Sequence, residues 1–151
     1  MLASWSIAWI VSLMIGLQPT APWGDSYEST ARGIYEGAKV EPIFQGESGL
    51  RRTIALDVAL SWFESRFDPN AVGDGGKSRG LYQIQFSGES ESVTHQTIRA
   101  NRMIRESFRV CWARPLEERL GWYASGGPNC SREGGLKASR HRMMKAKKLG
   151  E

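Results

Sequence analysis

Glu64 is the residue of this chain best placed for proton-transfer chemistry. It stands with Ser65 at the end of an apolar stretch, Leu56 to Phe67, that stops at Asp68-Pro69-Asn70. A glycine-rich run, Val72 to Gly80 (VGDGGKSRG), leads from there into Gly80-Leu81-Tyr82-Gln83. Partial desolvation at the edge of a buried helix favours the protonated form of a carboxyl group, and a neighbouring loop of small residues leaves room for a substrate. The arrangement suits general-acid chemistry. Two other chemistries of a glycine-rich loop fail on pattern. Lys77-Ser78 follows a run with the wrong spacing for a phosphate loop, and Asp74-Gly75-Gly76 lacks the remaining ligands of a calcium loop. The two histidines, His95 and His141, and the two cysteines, Cys111 and Cys130, have no metal-ligand spacing, so neither metal nor cofactor is expected. Asp68 precedes a proline and reads as a turn residue, which leaves Asp74 as the candidate for a second carboxylate.

The elements that must hold Glu64 are mostly helical. Tyr27, Ala31, Ile34, Tyr35 and Ala38 recur at three- and four-residue spacing, predicting a helix from Asp25 to Glu41 that Pro42 ends. After a polar loop from Gln45 to Gly49, Thr53 is expected to cap the next helix. On that helix Leu56, Leu60, Phe63 and Phe67 fall within about 60° of arc, and Glu64 lies about 40° beyond Leu60, at the rim of the buried face. Gly80 to Phe86 alternates, predicting a short strand or a turn into a helix, and Ser87 to Ser92 is polar and loop-like. Ala100, Ile104, Phe108 and Cys111 predict a helix from Thr94 to about Trp112, flanked by Arg99, Arg102, Arg105 and Arg109. Pro115 suits a first helical position; Leu116, Leu120 and Tyr123 share a face of the short helix after it, and Gly126-Gly127-Pro128 ends that helix. Gly134-Gly135 is expected to break the chain before a basic helix from Leu136 to Leu149, with Leu136, Met143, Met144 and Leu149 as its apolar side. Five or six helices with little strand make a mainly α domain with glycine-rich connections.

The bounds agree with one domain. The chain has 151 residues, 40% hydrophobic and 24% charged, enough apolar material for a packed core. Six tryptophans are many for this length; indole anchors cores, and it also stacks on flat sugar faces. Charge is split: residues 1–98 hold 7 Lys and Arg against 11 Asp and Glu, a net −4, and residues 99–151 hold 13 against 5, a net +8. The basic end is either a solvated helix face or a contact for an anionic wall polymer or membrane surface. Leu2 to Leu17 is uncharged and about as long as a signal-peptide core, and Gln18-Pro19-Thr20-Ala21-Pro22 breaks it. Residues 1–22 are therefore expected to be a signal peptide or N-terminal anchor, with a buried core helix as the competing reading, and residues 23–151 the domain. Export would allow Cys111 and Cys130 to form a disulfide; two buried thiols are the alternative.

Three pieces carry a resemblance: Glu64-Ser65 in ESRFDP, with Phe67 and Pro69; GLYQI from Gly80; and WYASGG from Trp122. Together they resemble the catalytic domain of the soluble lytic transglycosylase family, within the lysozyme-like superfamily, over roughly residues 25–130. The third piece has Ala124 where the family carries asparagine, the loop carries Gly-Asp-Gly-Gly-Lys-Ser, and Ile-Gln-Phe-Ser follows Gln83. The resemblance implies a lysozyme-like α+β domain with at most a small β-element lining a cleft. It implies a monomeric enzyme that cleaves the β-1,4 link between N-acetylmuramic acid and N-acetylglucosamine in peptidoglycan, leaving a 1,6-anhydro product. Glu64 would be the sole acid/base. Ser65 and Tyr123 would position it, and Gly80, Leu81, Tyr82 and Gln83 would position or bind the glycan. The alternatives are a hydrolytic muramidase on the same scaffold, with Asp74 or Glu89 placing a water, and a non-catalytic wall-binding module. No nucleic-acid motif accompanies the basic helix.

Overall fold

The computed structural model of the chain describes residues 2–21, 26–85, 91–126 and 129–151, with side chains from Ser6 onward. Six α-helices occur among them: α1 Leu2–Leu17, α2 Glu28–Val40, α3 Gly49–Ser65, α4 Val93–Val110, α5 Gly121–Ser125 and α6 Glu133–Gly150. Three two-residue strands lie between α3 and α4: β1 Val72–Gly73, β2 Ser78–Arg79 and β3 Ile84–Gln85. They form one antiparallel sheet in the order β1-β2-β3, with Val72 opposite Arg79 and Arg79 opposite Ile84. The protein is thus mainly helical with a small sheet. Asp25 and Glu89 lie outside the described residues.

Helix α3 is the axis of the domain. Every residue from Thr53 to Ser61 is buried, so the helix is enclosed on all sides and has no solvent face to alternate with. Helices α1, α2 and α6 pack against it, and α4 packs against α2. The first turn is exposed at Arg51 and Arg52, and the last, Trp62 to Ser65, emerges into partial exposure. Glu64 therefore stands just past the buried stretch of α3, where the wheel placed it at the rim of a single face. Phe67 lies past the helix: Arg66 and Phe67 both take left-handed backbone, φ 55° and 68°. Such angles cost a non-glycine residue roughly 1–2 kcal/mol. Burial of the Phe67 ring, edge-on to Tyr27 with centroids 5.5 Å apart, is the gain that offsets them.

Several expectations need correction. Thr53 does not cap α3, which begins at Gly49; its buried hydroxyl instead accepts from the Ile43 and Phe44 amides at 3.0 and 3.1 Å. Pro115 precedes a 3₁₀ turn, Leu116–Glu118, and α5 starts only at Gly121, so Leu116 is exposed while Leu120 is buried. Met144 is 59% exposed and belongs to no apolar side. Gly134 and Gly135 do not break the chain; both lie in the first turn of α6. The glycine is needed there for packing, because a Cβ on Gly135 would fall 2.7 Å from the Gly121 carbonyl oxygen. Gly135→Ala is accordingly expected to push α5 and α6 apart. It should lower stability by about 1–2 kcal/mol in urea melts, although alanine is the better helix former.

The predicted cysteine pair is a disulfide: Cys111 and Cys130 are bonded, with Cα atoms 5.6 Å apart. It closes the segment that contains α5. The N-terminal apolar run is helix α1, with Ile7, Ile10 and Met14 buried in the common core. Its C-terminal end is tied down by Tyr27, whose hydroxyl donates to the Gln18 carbonyl at 2.7 Å. No described helix is long and apolar enough to cross a membrane.

Candidate active site around Glu64

The turn after α3 brings two of the sequence motifs together. Ser65 Oγ lies 2.7 Å from the Leu81 carbonyl oxygen and 3.0 Å from that of Ser61. Its one proton therefore ties the end of α3 to the Gly80–Gln83 turn and makes no bond to Glu64. Asp68 is a turn residue, as expected, its carboxylate accepting from the Asn70 amide at 2.9 Å.

The Gly80–Gln83 turn is built as a support. Gly80 has φ 88° and faces Gln96, whose Oε1 would be 2.3 Å from a Cβ at that position. Gln96 Oε1 accepts from the Leu81 amide at 2.7 Å, and its Nε2 donates to the Glu91 carbonyl at 2.9 Å. Leu81 is fully buried, and Tyr82 is buried with its hydroxyl 2.9 Å from Thr97 Oγ1. Gln83 Nε2 donates to the Ala71 and Gly80 carbonyls at 3.1 and 2.9 Å. Leu81, Tyr82 and Gln83 hold the loop from inside, with side chains turned to the protein. Gln96 performs as much of this work as Gln83. Nothing in its polar surroundings on the α4 face distinguished it in the sequence.

Glu64 is 24% exposed in its side chain, reachable from solvent yet largely desolvated. Its hydrogen-bond partner is Arg142 of α6, whose Nη2 donates to Oε1 at 2.9 Å. The guanidinium also lies over the Phe63 ring, 5.0 Å from its centroid. Trp62 stands beside this pair with Arg66 and Lys145 over its ring at 4.0 and 5.7 Å. Arg142 was not singled out in the sequence, where it reads as one of many cations on a basic helix.

Tyr123 comes from α5. Its hydroxyl is buried without a hydrogen-bond partner among the described residues. Burial pushes its pKa far up, and the Glu64 and Asp57 carboxylates add to the shift while Arg142 opposes it. The phenol thus stays neutral, within the electrostatic reach of Glu64, as a donor with no acceptor engaged. Asp57, two turns before Glu64 on α3, is a second buried carboxyl group that the sequence concealed within an apolar helix. Its Oδ2 accepts from Asn101 Nδ2 at 3.0 Å, while Oδ1 has no partner among the described residues. Desolvation pushes its pKa well up, against the lowering effect of Asn101. Asp74, by contrast, is exposed at the β1–β2 connection and accepts from the Ser78 hydroxyl at 2.6 Å.

The basic residues of α4 are engaged with carboxylates: Arg102 and Arg105 with Glu41 at 3.2 and 2.6 Å, and Arg99 with Glu91. No group of three or more His, Cys, Asp and Glu able to hold a metal occurs among the described residues. The arrangement can deliver one proton from one carboxyl group, with a neutral phenol and a guanidinium beside it. No protein-family model, no curated protein and no solved structure matches the chain.

Proposed function

We propose that this protein is a peptidoglycan lytic transglycosylase on a lysozyme-like scaffold, with Glu64 as its single acid/base. The observation that supports the reading is that the end of α3 carrying Glu64 is tied through Ser65 to the Gly80–Gln83 turn, with the neutral Tyr123 phenol of α5 near enough to feel the Glu64 charge. In the proposed reaction the Glu64 carboxyl proton goes to the glycosidic oxygen as the bond from that oxygen to C1 breaks, and positive charge develops on the muramyl ring. The 6-hydroxyl of the same sugar then attacks C1 and returns its proton to the Glu64 carboxylate. No water is consumed and the acid is regenerated. An intramolecular hydroxyl is entropically favoured over a free nucleophile, so a second carboxylate is not required. The exposed position of Asp74, already bonded to Ser78, is in keeping with a one-carboxylate scheme. The disulfide is in keeping with an exported protein acting at the envelope.

Mass analysis of products from purified peptidoglycan tests the proposal. The expected fragments end in 1,6-anhydro-N-acetylmuramic acid, one water lighter than hydrolysed ends. Reducing ends without anhydro sugar would make the protein a muramidase. Saturable binding to the same strands with no new ends would make it a wall-binding module.

A further inference from the structure

The geometry points to Arg142 as a carboxylate-sensing gate on Glu64, which makes an anionic group on the glycan a condition of turnover. This rests on the proposed reaction at Glu64 and specifies the substrate it takes. In the unliganded protein one of the two carboxylate oxygens of Glu64 is occupied by Arg142 Nη2 at 2.9 Å. Both side chains are largely out of water, 17% exposed for Arg142 and 24% for Glu64. The guanidinium has spare capacity: Nη1 reaches the Ala138 carbonyl at only 3.4 Å, and the buried Nε has no partner among the described residues. Glu64 presents Oε1 to a glycosidic oxygen only when Arg142 turns away, and a desolvated guanidinium turns away at low cost only toward another anion. A neutral sugar provides none and leaves the cation unpaired. A carboxylate offers the planar, two-oxygen acceptor that a guanidinium fits best, so one ion pair is exchanged for another. Peptidoglycan has such groups beside its muramyl residues, on the lactyl ether when the stem peptide is absent and on the peptide when it is present.

The test compares wild type, Arg142→Met and Arg142→Lys on glycan strands with and without stem peptides, each also with its carboxyl groups amidated. Wild type is expected to cleave the carboxylate forms at least about tenfold faster than the amidated ones. Arg142→Met should cleave both at similar rates, and Arg142→Lys should retain part of the preference. Discrimination on peptide-free strands assigns the lactyl carboxylate, and discrimination confined to peptide-bearing strands assigns the stem peptide. Equal rates for wild type on all strands, or full discrimination by Arg142→Met, would overturn the inference. Urea melts establish that each variant is folded.

A second arm is independent of turnover. Glu64→Gln protein is titrated with N-acetylmuramic acid and with its methyl ester while the Arg142 Nε–H resonance is followed. The acid should shift it and the ester should not. A shift with the acid, together with no cleavage of any strand by the wild type, would uphold the carboxylate site and remove only the proposed reaction. Cleavage without any shift, and without discrimination, would remove the gate and keep the reaction.

Discussion

Glu64→Gln is expected to lower glycan cleavage by about 10³-fold while strand binding persists, because a general acid is replaced by a group with no proton to give. The substitution is close to isosteric. A glutamine oxygen can still accept from Arg142 Nη2, now 2.9 Å from Oε1, so the end of α3 should keep its position and the unfolding midpoint should barely move. Release of soluble fragments, measured beside binding to insoluble peptidoglycan, separates chemistry from recognition. Equal loss of both would show that Glu64 matters for binding alone. Unchanged cleavage would take the acid role away from Glu64, and Asp74→Asn is the parallel variant to make. Asp74 is exposed and engaged by Ser78, so the expected effect of that change is small.

The second large effect concerns Asp57. Its side chain is fully buried on α3, and desolvation holds its pKa well above the ordinary range. In the unfolded chain the same carboxyl group titrates near pH ~4. Folding therefore binds a proton, and the sign follows. Stability is full at pH values below the unfolded pKa and is lost as pH rises, by about 1.4 kcal/mol per unit, until the folded pKa is passed. The accumulated loss is set by how far burial raises the folded pKa above the unfolded one. Asp57→Asn removes the titration and supplies an amide donor in a place where Asp57 Oδ1 and Asn101 Oδ1 both lack partners among the described residues. The variant should be more stable than wild type at pH 8, nearly equal at pH 4, and have a flatter profile between them in urea melts. Tyr82 and Tyr123 feel the Asp57 charge but titrate above this window, so they do not mask it. Parallel profiles for the two proteins would mean that Asp57 is ionised in the fold.

The sequence revealed most where one local signal decides. The stripes on α2 and α4 placed Ala31, Ile34, Ala100 and Ile104 in the core, and all four are fully buried. The cysteine pair was legible from its number and context. Helix α3 was harder, because a helix enclosed on all sides has no polar face to fix its phase. The wheel therefore put Phe67 on the helix and Glu64 at a rim, when the chain in fact turns left-handed at Arg66 and Phe67. Gly134-Gly135 misled for a related reason. Glycine breaks an isolated helix, yet here the neighbouring backbone of α5 requires its absence of a side chain. Of the site, Glu64, Ser65 and Tyr123 were named from motif and spacing. Asp57, Asn101, Gln96 and Arg142 were not, because each depends on a contact between distant segments. Arg142 stands 78 residues from Glu64, and no local pattern encodes that meeting.

That separation also sets an order of events in the life of the chain. Helix α3 is synthesised before α4 and α5, and the helix that carries Arg142 is the last of the described elements to be synthesised. Its docking is reinforced by Arg51, whose Nε donates to the Gly150 carbonyl at 2.9 Å across 99 residues. Contacts of such range form late and slow folding. Glu64 acquires its arginine only when α6 has been made and has docked against α3.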